Sequence, residues 1–133
     1  MEEISRALGY NKNYLSAIFA KDTGCTIRDY INLHRARVSA IFFFCWELEI
    51  AECCRWLHFN SYSHFNRIFK RFAGIPPSSF RKACLSLSAE ERAEIDSEEP
   101  LLSYHIVPIE DLFATVRHMG QTMAEVLERK ESE

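Results

Sequence analysis

Shifted by fifty positions, this chain matches itself. Tyr14-Leu15-Ser16-Ala17-Ile18-Phe19 falls on His64-Phe65-Asn66-Arg67-Ile68-Phe69, Gly24 on Gly74, and Tyr30 on Phe80. Upstream, Tyr10-Asn11 matches Phe59-Asn60, with one extra residue in the second copy. The apolar skeleton repeats while the polar positions differ. Such a repeat means one supersecondary unit used twice.

The second copy shows what the unit is. A short apolar-periodic segment, Ile50 to Leu57, breaks at His58–Asn60; a basic segment follows from Ser61 to Phe72, and Gly74 stops it. Two short helices joined by a tight turn form a helix-turn-helix, whose second helix lies in the DNA major groove. Phe65, Ile68, Phe69 and Phe72 recur at helical spacing and should face the core. Tyr62, Ser63, Asn66, Arg67 and Lys70 fall on other faces, where they can bond base edges or phosphates. Alone, this segment reads equally well as an ordinary amphipathic helix with a solvated basic face. The repeat moves the balance.

In the first copy, Glu2 to Leu8 should be a short helix ended by Gly9. Lys12 to Thr23 is the next, with Leu15, Ile18 and Phe19 inward and Gly24 at its end. Its outer face carries Lys12, Asn13, Ser16, Ala17, Ala20 and Lys21, poorer in donors than the second copy. Shared cores with divergent surfaces suggest two readers of different sequences, or one reader and one clamp.

Between the copies, Thr26 can cap a helix running from about Ile27 to Trp46. Twenty residues at ~1.5 Å each span ~30 Å, close to the ~34 Å between recognition helices set one duplex turn apart. The end of this helix, Ala40-Ile41-Phe42-Phe43-Phe44-Cys45-Trp46, is apolar on every side, and such a helix is buried all round. The tail, a second copy or a preceding segment must cover it. Pro76 and Pro77 suit a helix start, so Ser78 to Ala83 is a further helical turn. It presents Arg81 and Lys82 as phosphate-clamp candidates or as a solvated pair.

The net charge of −3 conceals two surfaces. Residues 1–83 carry twelve Lys/Arg against seven Asp/Glu, and residues 84–133 four against twelve. The basic front suits a polyanion; the acidic rear does not. In that rear, Ser88-Ala89-Glu90-Glu91 has the form of a capping box, so Ala89 to Ile95 reads as a short acidic helix. Asp96 to Pro100 is a break, and Leu101 to Val107 reads as extended. Beyond Pro108, Ile109, Leu112, Phe113, Val116, Met119, Met123, Val126 and Leu127 mark a long amphipathic helix, with Gly120 as a weak point. Its stripe packs on its own domain or binds a partner.

The five cysteines, an odd number in apolar contexts, argue for reduced thiols rather than a disulfide framework. The adjacent Cys53 and Cys54 lack the spaced partners of a zinc site. No run reaches the ~18 apolar residues of a membrane helix, and no leader pattern stands at the N-terminus. A cytoplasmic protein without metal or cofactor is expected. No Ser/His/Asp or Cys/His set and no phosphate-cradling loop is present, so no catalytic residue is assigned and an enzyme is not expected. His34, His58, His64, His105 and His118 are scattered, and His64 reads as a surface or packing residue.

These residues resemble the DNA-binding domain of AraC-type (AraC/XylS) bacterial transcription regulators over about Glu2 to Lys82. The first signature is Leu8-Gly9-Tyr10, Tyr14-Leu15-Ser16, Phe19 and Lys21-Asp22-Thr23-Gly24. The second is Ile50-Ala51-Glu52, Phe59, Phe65, Asn66-Arg67, Phe69-Lys70, Gly74, Pro77 and Phe80-Arg81. The resemblance implies promoter binding through recognition helices 12–23 and 61–72 in successive major grooves. It puts Asn13, Ser16 and Ala17 on the first reading face and Tyr62, Ser63, Asn66 and Arg67 on the second. Lys12, Lys21, Lys70, Arg71 and Arg81 complete the candidate DNA contacts, and Arg35 falls where the family has a structural arginine. Departures are Ala17 in place of a long donor, His58 in place of a turn glycine, Cys54 and Trp56 in the second unit's first helix, and Val38, Ala40 and Ile41 on the linking helix. The helix that usually precedes Glu2 has no counterpart, and an acidic segment follows where the family usually has an effector domain in front.

The expected fold is all-α: two helix-turn-helix units joined by a long helix (1–83), plus an acidic segment with an amphipathic helix (84–133). The expected function is a sequence-specific DNA-binding transcription regulator. Its partners are double-stranded DNA and RNA polymerase, and either a second copy or another protein could dock on the apolar linking helix or on residues 109–127. The alternative is a degenerate helix-turn-helix interaction protein whose acidic tail or apolar surface binds another regulator or masks the DNA face.

Overall fold

The computed structural model describes residues 26–98 and 109–132. The first helix-turn-helix unit and the expected extended stretch 101–107 lie outside the described residues. Within them are six α-helices and no strand: α1 (Ile27–Trp46), α2 (Ile50–Trp56), α3 (Tyr62–Ala73), α4 (Pro77–Ser86), α5 (Ala89–Glu98) and α6 (Ile109–Ser132).

Local chemistry sets their ends. Thr26 caps α1, its hydroxyl accepting from the Asp29 N–H at 3.0 Å. Pro77 opens α4, where a missing N–H costs nothing. The Ser88 hydroxyl accepts from the Glu91 N–H at 3.1 Å, and Glu91 accepts from the Ser88 N–H at 3.0 Å. That is the reciprocal capping box expected from the sequence, though α5 runs three residues past Ile95.

The core is built on α1. Leu33, Ala36, Ala40, Phe43 and Phe44 are buried along it. The Phe43 ring lies 6.4 Å from Phe65, 5.9 Å from Phe69 and 6.2 Å from Phe80, so one side chain joins α1, α3 and α4. Cover of the apolar end is partial: Ile41, Phe42 and Cys45 are half-buried and Trp46 is 55% exposed.

The tail supplies much of that cover. Leu112, Val116, Met119, Met123 and Val126 of α6 are buried, and α6 packs against α4, α3 and α1. They belong to the same hydrophobic cluster as Phe43. The composition boundary at Ala83 thus marks a change of surface, and the core runs across it. Arg92 of α5 donates to the carbonyls of Phe44 and Cys84, pairs with Glu47 at 2.9 Å, and lies over the Phe44 ring.

Gly120 is not the weak point the sequence suggested. A Cβ there would sit 1.7 Å from the Ala73 carbonyl oxygen. Helix propensity disfavours glycine by about 1 kcal/mol, but here only glycine lets α6 cross the end of α3 at this distance. Phe113, expected in the buried stripe, is 43% exposed, although its ring meets Phe72 at 5.8 Å.

Burial pushes the Cys53 and Cys84 thiols up to about 12, so both stay protonated at neutral pH. The Cys84 thiol sits 3.8 Å from the Met123 sulfur.

Glu91 also ties α5 to α6, pairing with Arg129 at 2.6 Å and Lys130 at 3.0 Å. The Ser88 backbone N–H, and then the Lys130 ammonium, hold its carboxyl down at about 2. A depressed carboxyl stabilises the fold above its unfolded value and loses that contribution as pH falls toward the folded value. Wild-type stability should therefore decline from about pH 4.5 to about pH 2 more steeply than that of Glu91→Gln, as read by urea midpoints across that window. Phe43→Ala should cost about 3–5 kcal/mol, measured as a lower urea midpoint at constant slope.

Candidate nucleic-acid interface

The second repeat folds into two helices and a tight turn. Cys53 seats α2 in the core. At the turn, the Leu57 N–H donates to the Cys53 carbonyl at 3.0 Å and the Phe59 N–H to that of Cys54 at 3.0 Å. Between them His58 adopts φ +59°. His58 stands in place of a turn glycine, and a left-handed residue with a Cβ is disfavoured. Buried Phe59 closes the turn, its ring 5.0 Å from Phe65 and 5.4 Å from His64. Arg35 reaches from α1 over the Phe59 ring at 5.1 Å, a structural position.

α3 is set by its own ends. The Ser61 hydroxyl accepts from the His64 N–H at 3.1 Å, and Gly74 closes the helix at φ +91° with its N–H on the Lys70 carbonyl. Lys70 and Arg71 in the last turn complement the helix dipole. Phe65, Ile68, Phe69 and Phe72 are buried, as their spacing required. The remaining faces are polar: Tyr62 is half-exposed, Asn66 half-buried, and Ser63, Arg67, Lys70 and Arg71 exposed.

Those side chains differ in commitment. Among the described residues, Arg67 and Lys70 make no side-chain ion pair or hydrogen bond. Arg71 pairs with Asp29 of α1 at 3.0 Å, with both side chains partly exposed. Pairs of this kind contribute ~0–1 kcal/mol, so a phosphate can compete for it.

Arg81 is drawn into the fold. It is half-buried, and its Nε donates to the Leu48 carbonyl at 3.0 Å, bracing α4 against the α1–α2 connection. Lys12, Asn13, Ser16, Ala17 and Lys21 lie outside the described residues.

Two residues near this face were not on the sequence-derived set. Trp56 is 69% exposed at the end of α2, beside the turn. Arg117 of α6 donates to the Arg71 carbonyl at 2.9 Å. No local pattern announces a contact across that separation.

Comparison with known proteins agrees with this geometry. Residues 4–83 match a helix-turn-helix domain family. The chain is 30% identical over 82 residues to an uncharacterized HTH-type transcriptional regulator, YtdP, of Bacillus subtilis, covering 62% of this chain and 11% of that protein. It is 33% identical over 82 residues to the Msm operon regulatory protein of Streptococcus mutans, covering 62% and 30%. It is 29% identical over 82 residues to the probable transcription factor PqrA of Proteus vulgaris, covering 62% and 67%. The chain thus spans between a tenth and a third of the first two relatives. No solved structure matches.

The left-handed turn residue gives a direct check. His58→Gly should relieve backbone strain and stabilise the protein by about 0.5–1 kcal/mol, net of glycine's larger unfolded-state entropy. Thermal unfolding should shift upward by about 2–4 °C.

Proposed function

The chain belongs to the AraC-type helix-turn-helix family, and from that premise we propose that it is a sequence-specific DNA-binding regulator of transcription. In this reading α3 lies in a major groove of promoter DNA. The first unit's recognition helix, residues 12–23, lies in the adjacent groove, one turn away. The observation that carries the proposal is the division of α3. Four hydrophobic side chains lock one face, while Tyr62, Ser63, Arg67 and Lys70 stand exposed on the others.

Each side chain has a role on a duplex. Arg67 bonds a guanine edge bidentately or anchors a phosphate. Asn66 and Ser63 bond base edges, and Tyr62 packs against the groove wall. Lys70 and Arg71 hold phosphates and so set register rather than sequence. The length of α1, ~30 Å for its twenty residues, suits two reading helices spaced by ~34 Å.

The competing idea, that residues 84–133 mask the DNA face, finds less support among the described residues of that segment. α6 meets α3 at Phe72, Ala73 and the Arg71 carbonyl, the buried side and C-terminal end. α5 directs Glu91 to Arg129 and Lys130 of α6. RNA polymerase, a second copy or another protein would be additional partners. The α6 stripe Leu112 to Val126 is taken up by this chain's own core, which leaves less of residues 109–127 for them.

Selection from random duplexes should return a defined site. Arg67→Ala should weaken binding to that site by ~1–3 kcal/mol and relax specificity at one position, whereas Lys70→Ala should weaken all sequences alike and reduce the salt slope by about one. Absence of binding to any duplex at low salt would overturn the reading.

A further inference from the structure

α6 does more than cover apolar surface, because it grips the reading helix at its end. Three contacts converge there. The Ala73 carbonyl oxygen fills the space a Cβ at position 120 would need. Arg117 donates to the Arg71 carbonyl at 2.9 Å, and its guanidinium lies against Gly74, 3.0 Å from where a Cβ there would be. Phe113 meets Phe72 edge-on, with Arg117 over the Phe113 ring. The last carbonyls of a helix have no partner within it; here the Gly74 N–H takes that of Lys70, and α6 takes that of Arg71.

α6 is itself held along its length. Leu112, Val116, Met119, Met123 and Val126 bury it against the core, and Glu91 clamps Arg129 and Lys130 at its far end. A twelve-residue helix is marginal in isolation, so α3 keeps its orientation only through its neighbours. Functional side chains must be held within about 0.5 Å and 10–20° to act. Arg67 lies six residues from Ala73, ~9 Å along the axis, so a displacement of the gripped end is carried to the reading side chains.

We propose that α6 is a positioning element of the DNA reader, with Gly120 and Arg117 as its positioning residues. They set the axis of α3 without touching DNA, and the acidic C-terminal segment is thereby an integral part of the binding unit. The inference rests on the DNA-binding reading above.

The test uses the full chain, a duplex site selected from random DNA, and an unrelated duplex of equal length. Arg117→Ala and Gly120→Ala should each weaken the selected site roughly tenfold. Affinity for the unrelated duplex and the salt slope should stay as in wild type, because non-specific binding follows the number of phosphates neutralised, and no cation that meets them is removed. Arg117→Lys, which keeps a donor for the Arg71 carbonyl, should recover part of the loss. If circular dichroism shows Gly120→Ala to be unfolded, Arg117→Ala carries the test, since the glycine crossing stays intact. A salt slope reduced by about one in Arg117→Ala would make Arg117 a phosphate contact and overturn the proposal. Equal losses on both duplexes, or no loss on either, would also overturn it. A wild-type chain that binds neither duplex overturns the DNA reading itself, which separates the two failures.

Discussion

The contact of Phe43 with Phe65, Phe69 and Phe80 is what the remaining structure depends on. One ring on the long helix touches two rings of α3 and one ring of α4. Aromatic pairs at these separations favour tilted and edge-to-face arrangements, so they fix angles as well as distances. α3 carries its own cap and stop but is too short to be stable alone. Its orientation is therefore inherited in part from α1 through this cluster. A polar face on α3 becomes a surface of defined direction only because the opposite face is fully engaged.

The described part of the acidic rear pairs some of its charge internally. A run of carboxylates behind a basic half invites an electrostatic mask. In the structure Glu91 turns to Arg129 and Lys130 within the rear itself. Among the described residues, the carboxylate paired with Arg71 of α3 is Asp29, which comes from α1 in the basic half. Charge composition and core membership are separate properties. Leu112, Val116, Met119, Met123 and Val126 join a core whose other members precede Ala83 almost entirely. A stretch can be acidic outside and still complete the apolar interior of a basic neighbour.

His58 and Gly120 both stand where sequence preference alone would not put them. His58 holds a left-handed turn that glycine would hold with less strain. Gly120 sits mid-helix, where glycine is disfavoured, because the Ala73 carbonyl occupies the place of its side chain. The first is a local cost of the turn. The second is the condition for α6 to lie across the end of α3.

What the sequence determined by itself acts within about one helical turn. Thr26, Ser61 and the Ser88–Glu91 box set helix starts, Gly74 set a stop, and the spacing of Phe65, Ile68, Phe69 and Phe72 chose the buried face of α3. Side chains three and four residues apart share a face whatever surrounds them, so the polar face with Arg67 and Lys70 was legible too. Tertiary structure alone decided where α6 goes, why position 120 is glycine, that Arg117 takes the Arg71 carbonyl, and that Arg81 braces Leu48. These contacts join residues more than thirty positions apart. Periodicity fixes which side of a helix is apolar, but a shared core decides which neighbour that side will meet.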